Sequence, residues 1–234
     1  FKIIDQNGIL EIEKSIKNNY HVGWRSKENY TSEEYRNDLD AHLLKRLDID
    51  RRIIIPWLNS INKLKNKNIL EIGCGTGSSA VALAEQGAKV TGIDVDKAAL
   101  TVAKERARVY KVNAEFKYLN AQDMINNFDN QVFDYIIFFA SLEHMTVAER
   151  IRSLKIGWEM LPPNGFLVII ETPNRLFFHD WHTSFLDFFH WLPNELAFKY
   201  SKNSHRKNFK EMYNDYNDES KNHFLRRGRG VSYH

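Results

Sequence analysis

The chain has 234 residues, 43% hydrophobic and 13% aromatic, enough for one generous domain or a domain with an attached cap. Its single cysteine, Cys74, excludes an internal disulfide framework and any multi-cysteine zinc site, and it fits a reducing, cytoplasmic setting. A formal net charge of +3 is too small to argue for nucleic acid, and no apolar run approaches the roughly 20 residues that span a bilayer.

Residue 1 is Phe, with no charged-then-apolar leader, so a terminus trimmed upstream is expected. Residues 1–66 are charged and Asn-rich, and apolar side chains in Leu39-Asp-Ala-His-Leu-Leu-Lys-Arg-Leu47 recur at helical spacing. They read as a helical N-terminal cap or, equally, as a purely structural extension. From residue 67 short apolar runs alternate with helical stretches. Strands are expected over 68–72, 89–94, 114–119, 133–139 and 165–171, and helices over 78–86, 97–110 and 147–160. Such alternation implies right-handed crossovers and a mostly parallel sheet. After Pro173 the pattern breaks into the aromatic-rich stretch 174–200, expected to be a helical lid or substrate region, and then a basic-leaning tail. The expected domains are therefore 1–66, 67–173 and 174–234.

The run Glu71-Ile-Gly-Cys-Gly-Thr-Gly77 sits where a strand gives way to a helix. Its glycines permit positive φ and let a ligand approach the backbone. The G-x-G-x-G spacing places Ser78 where a dinucleotide fingerprint wants glycine or alanine. Glu71 would repel a pyrophosphate but attract an ammonium group. Asp94 ends the second strand 21 residues after Gly73, where its carboxylate can accept hydrogen bonds from ribose hydroxyls.

Together with Gly92-Ile-Asp94 and Phe133-Asp-Tyr-Ile-Ile137, this run resembles successive motifs of class I S-adenosylmethionine-dependent methyltransferases over about residues 66–173. The resemblance implies a Rossmann-like α/β sheet of order 3-2-1-4-5-7-6, with the cofactor across the carboxyl ends of strands 1, 2 and 4. It implies that Glu71, Gly73, Cys74, Gly75 and Gly77 hold the methionine portion and that Asp94, with Val95, holds the ribose. Asn120 and Ala121, with Gln122 and Asp123 as rivals, stand where adenine is usually met. Phe139 completes the cofactor set. Asn120 serves equally well as a helix N-cap. A nicotinamide or flavin domain, and a fold that binds the cofactor without transfer, are the competing readings.

The strand-4 sequence Ala140-Ser-Leu-Glu-His-Met145 partly resembles the Glu-x-x-Glu-His motif of quinone-type O-methyltransferases, whose acids and histidine can bind a divalent metal. Ala140 replaces the first acid, so no metal is assigned. Glu143 is placed in the substrate site, and His144 is a candidate base or a loop anchor. Strand 5 runs into Glu171-Thr-Pro-Asn-Arg175, then His179-Asp-Trp-His182. This C-terminal part resembles bacterial methyltransferases of surface-polysaccharide or secondary-metabolite pathways. Asn174, Arg175 and Asp180 are candidate substrate residues and His182 a second candidate base. A metal on His179, Asp180 and His182 has only weak spacing in its favour, and His190 reads as structural.

The expectation is thus an S-adenosylmethionine-dependent O-methyltransferase acting on a small polar acceptor such as a sugar or glycan intermediate. N- or C-transfer, or cofactor binding alone, is the alternative. The basic tail reads as a solvated face or a site for a phosphate-bearing substrate, with RNA a third choice. Only Gly230-Val-Ser-Tyr-His234 hints at a further strand, so the sixth and seventh strands are expected beyond residue 234, the alternative being that they have been replaced.

Overall fold

Short runs rich in Ile, Val, Phe and Tyr form the strands of one sheet. They are β1 (Asn68–Ile72), β2 (Lys89–Asp94), β3 (Ala114–Tyr118), β4 (Tyr135–Phe139) and β5 (Phe166–Ile170). The computed structural model describes residues 1–129, 131–206, 209 and 217–231. The strand order is β3-β2-β1-β4-β5, the first five places of the expected seven. β1 and β3 flank β2 in parallel, with Glu71 opposite Gly92 and Asp94 opposite Tyr118. β4 is buried along its whole length, as a central strand covered on both faces must be. It starts two residues later than its apolar run suggests. The reason is Asp134, whose carboxylate accepts from Asn68 N (2.8 Å) and Lys67 Nζ (2.9 Å) and so anchors the strand's entry.

No sixth or seventh strand occurs among the described residues. Val231 makes an isolated parallel bridge to Asn174, and residues 232–234 lie outside them, as do Lys207 and Lys210 of the basic tail.

The N-terminal region is helical as expected, with α1 (Gln6–Ser15), α2 (Ser32–Asp40), α3 (Arg46–Ile49) and α4 (Ile55–Ile61). Thr31 and Glu34 close a capping box that starts α2. Wide π turns, Ala41–Lys45 and Asp50–Ile54, join α2, α3 and α4 without a break, the second just ahead of Pro56, whose missing N–H a regular ladder would leave unmatched. The strands are connected through α5 (Ser78–Ala84), α6 (Lys97–Tyr110), α7 (Met124–Asn127) and α8 (Val147–Glu159). Asp96 caps α6 by accepting from Ala98 N and Ala99 N.

Contacts divide the chain into two units, Phe1–Ile137 with Ile156–Val168, and Phe138–Lys155 with Ile169–His234. In the first, α1 packs on α6 and α3 on α5, so the N-terminal helices share the core of the sheet. The second has its own core of Leu186, Phe189, Ala197, Phe198, Phe209 and Phe224, using α9 (Asn194–Tyr200) and α10 (Asp218–Leu225). The aromatic run is thus partly core, but Phe177, Phe178, Trp181, Phe188 and Trp191 remain exposed. The expected lid helix is absent over 174–188. There Asp180 takes the backbone N–H groups of residues 182–184, which a helix would have used.

Arg106 of α6 is completely buried. Its guanidinium donates to the carbonyls of Thr76 (2.9 Å), Leu43 (3.0 Å) and His42. Burial pulls its pKa down to about 10, so it remains a cation at neutral pH. Arg106→Met would leave these three buried acceptors without their donor. We expect a loss of about 3 kcal/mol, read as a lower urea midpoint at constant slope. A loss under about 0.5 kcal/mol would contradict the clamp.

Candidate functional site

The first unit builds its site around the turn from β1 to α5. Gly73 N and Cys74 N both donate to Ile93 O (2.9 and 3.2 Å), which seals the loop against β2. Gly75 N donates to Asp94 Oδ2 and Asp96 N to Asp94 Oδ1, each at 2.8 Å. Asp94 is therefore fixed by backbone donors, and each carboxylate oxygen keeps a further lone pair for a ligand hydroxyl. Leu119 N donates to Asp94 O (3.1 Å), which brings the end of β3, and hence Asn120 and Ala121, beside the end of β2.

Glu71 is 0% exposed. Its Oε1 accepts from the Ser79 hydroxyl, whereas Oε2 is buried and without a partner. Burial pushes the carboxyl up to about 8, against the Ser79 hydrogen bond. Such an orphaned acid calls for a cationic donor, and the ammonium of a methionine moiety meets that need. The glycine loop, the ribose-type acid and this carboxylate together fit S-adenosylmethionine.

Several expected contacts have another job. The Cys74 side chain faces Gly92, where a Cβ would lie 2.9 Å from its Sγ, and burial drives its thiol pKa well up. With its N–H used on Ile93 O, Cys74 is a packing residue of the loop. Asn120 Oδ1 accepts from Gln122 N (2.9 Å), which is the N-cap alternative. Val95 is exposed beside Asp94, and Phe139 is buried in the second unit.

Sequence reasoning missed the polar cluster that covers the glycine loop within this unit. His42 Nδ1 meets Thr76 Oγ1 at 3.1 Å, and His42 Nε2 lies 3.9 Å from Asp38, which in turn binds His21 Nε2 at 2.8 Å. Burial first, and then the Arg46 charge, lower the His42 pKa to about 3, so this ring is neutral. The Tyr20 ring packs tilted against His42 (4.7 Å between centroids) beneath the Arg25 guanidinium (4.1 Å), and Arg25 pairs with Asp96 at 2.7 Å. Burial raises the Tyr20 hydroxyl to about 12. The i,i+4 pair Asp38 and His42 is the only local signal that could have flagged this cluster.

In the second unit Ala140 and Glu171, just past β4 and β5, both take left-handed φ (+43° and +57°), a strained choice for side-chain-bearing residues. Glu143 is 0% exposed, and its Oε2 accepts from Thr172 Oγ1 at 3.3 Å. Its Oε1 has no partner and lies 3.9 Å from His144 Nε2. His144 Nδ1 meets Arg226 O at 2.9 Å, and His182 Nδ1 meets Thr183 Oγ1 at 2.9 Å. The two rings are 5.8 Å apart. Burial, reinforced by His144, lowers the His182 pKa to about 4, so it is neutral. The structure thus brings both candidate bases together with Glu143.

Asp180 does not join them. It is 1% exposed and accepts from His182 N, Thr183 N, Ser184 N, Ser184 Oγ and His190 Nε2. Burial would raise its carboxyl, but the His190 ring and these backbone donors hold it well below the usual range. With both oxygens filled, it anchors a loop and has no capacity for substrate. His190 also accepts from Gly230 N (3.0 Å), in keeping with a structural role. His179 turns to Asp187 (2.6 Å), so His179, Asp180 and His182 form no common metal site. Asn174 Oδ1 closes a turn onto Leu176 N (2.9 Å), and Arg175 is exposed.

A methyltransferase-domain family model matches residues 69–165. Curated relatives include the ubiquinone biosynthesis O-methyltransferases of Pseudomonas fluorescens (32% identical over 121 residues, 52% of this chain and 50% of that one) and Coxiella burnetii (31% over 137 residues, 58% and 56%). This chain spans about half the length of the curated relatives it matches. A crystal structure of the PH0226 protein from Pyrococcus horikoshii is similar, with a TM-score of 0.50, 26% identity and coverage of 58% of this chain and 60% of that one.

Gly75 and Gly77 should respond differently to alanine. At Gly77 (φ +80°) a Cβ would lie 2.9 Å from the backbone of Ala103 in α6, whereas at Gly75 (φ +50°) it would meet open space. Gly77→Ala should cost at least about 2 kcal/mol, and Gly75→Ala only the roughly 1 kcal/mol of backbone strain. Equal losses on thermal melting would contradict this account of the loop.

Proposed function

We propose that this chain, whose residues 69–165 match a methyltransferase-domain family model, is a class I S-adenosylmethionine-dependent methyltransferase that moves a methyl group to the hydroxyl of a small-molecule acceptor, a sugar or glycan intermediate. The observation that carries the donor is the buried, unpartnered Glu71 Oε2 beside a glycine loop tied to Asp94. Transfer to oxygen is supported by the O-methyltransferases among the relatives and by the imidazoles of His144 and His182, whose Nδ1 atoms are engaged and whose Nε2 atoms are not. The exposed rings of Phe177, Phe178, Trp181, Phe188 and Trp191 would stack on a sugar or another flat acceptor. We assign the protein to the cytoplasm. Its one cysteine is free, and no helix among the described residues is long and apolar enough to cross a membrane.

When bound, S-adenosylmethionine supplies an electrophilic methyl carbon and a thioether leaving group. An acceptor oxygen would take that methyl group in line as the carbon–sulfur bond broke, leaving the electron pair on sulfur. The acceptor's proton passes to Nε2 of His144 or His182, whose Nδ1 atoms are already engaged. Glu71 holds the donor's amine and Asp94 its ribose.

Calorimetry should show adenosylhomocysteine binding and none for NAD, and the reverse pattern would overturn the donor assignment. An arriving ammonium lowers the Glu71 pKa from about 8, so binding near pH 7 should release a proton in the wild type and none from Glu71 in Glu71→Gln. Heats in buffers of different ionisation enthalpy measure this, and equal release by both proteins would contradict it. With an acceptor in hand, His144→Ala or His182→Ala should cost about 10²–10⁴-fold in kcat. Near-normal turnover in both would reject both bases.

A further inference from the structure

We propose that Glu143, His144 and His182 form a binding site for a first-row transition-metal dication. One oxygen or nitrogen from each lies within 4.8 Å of the others. Three independent features select the ligand atoms. Glu143 Oε1 is completely buried, unpartnered and 3.9 Å from His144 Nε2. His144 Nδ1 can only donate to the Arg226 carbonyl, so its Nε2 carries the lone pair. The Thr183 hydroxyl sends its proton to the carbonyl of Arg227 or Gly228 and therefore accepts from His182 Nδ1, which again leaves Nε2 with the lone pair. A second ring nitrogen hydrogen-bonded to a backbone carbonyl or hydroxyl is how metal-binding histidines are fixed.

The His182 ring is seated on Gly228, where a Cβ would come within 2.6 Å of Nδ1. Arg150 donates to the carbonyls of Leu142, Glu143 and Arg229 rather than to the Glu143 side chain, so the carboxylate itself stays available. Ligand atoms on one cation at about 2.1 Å lie roughly 3–3.5 Å apart, so the groups need close in by at most about 1–2 Å. His144 is half exposed, with room for that movement.

Two imidazoles and one carboxylate favour zinc or another borderline dication over magnesium, which prefers oxygen. Ala140 removes the acid that the strand-4 motif would have supplied. His182, from outside the matched methyltransferase segment, brings a softer ligand in its place. Three protein ligands leave positions open for an acceptor oxygen, whose pKa the cation would lower. With both Nε2 lone pairs on the cation, this polarisation of the acceptor oxygen would replace the imidazole base in the proposed function, on which the role rests, whereas the binding itself does not.

The test is titration of the chelator-dialysed chain with zinc and magnesium by calorimetry, and with cobalt followed by visible absorption. One equivalent of zinc should bind at least about 100-fold more tightly than magnesium. His182→Ala, with an unchanged melting curve, and Glu143→Gln should each weaken zinc binding at least about tenfold. Absence of stoichiometric zinc binding, or wild-type affinity in His182→Ala, overturns the site. Should Glu143→Gln not fold, His182→Ala decides alone. Adenosylhomocysteine titrated into the same sample separates the two readings, because zinc binding without it would refute the transferase and leave the metal site standing.

Discussion

A guanidinium placed in the middle of a protein must find acceptors without competing water, and Arg106 finds them on two different segments. Two of its carbonyls, His42 and Leu43, belong to the wide turn Ala41–Lys45, and the third is Thr76 of the glycine loop. A widened helical turn is a natural place for carbonyls to accept from outside the ladder. The same turn carries His42, whose ring rests on the Thr76 hydroxyl. The N-terminal helices are therefore tied directly to the glycine loop that we propose as the cofactor's seat.

Electrostatics in the first unit follow from burial. Glu71, Asp94 and Cys74 all have pKa values raised above their ordinary ones, in each case first by desolvation. Only the carboxylates are supplied with oriented donors, from Ser79 for one and from the loop backbone for the other. This arrangement suits the ligand we propose, which would bring positive charge to Glu71 and hydroxyls to Asp94.

The strand order and the glycine loop were legible because their signals are local: apolar runs, glycine spacing, and an acid at the end of β2. The cluster of His21, Asp38, His42 and Thr76 was not, because its members are up to 55 residues apart and meet only through tertiary packing. Asp180 and His182 show the same limit from the other side. Two residues apart in one polar motif, they diverge in the fold. Asp180 is saturated by its own loop, whereas His182 turns away to join His144. Sequence spacing cannot tell a filled carboxylate from an open one, because the difference lies in which backbone donors the turn presents.

The central claim is that Glu71 and Asp94 read the amine and ribose of S-adenosylmethionine. A crystal structure of the chain with adenosylhomocysteine tests it most directly. The account predicts the methionine amine about 3 Å from Glu71 Oε2 and the ribose hydroxyls on Asp94. A bound ligand that leaves Glu71 Oε2 unpartnered, with its ribose held elsewhere, would contradict it.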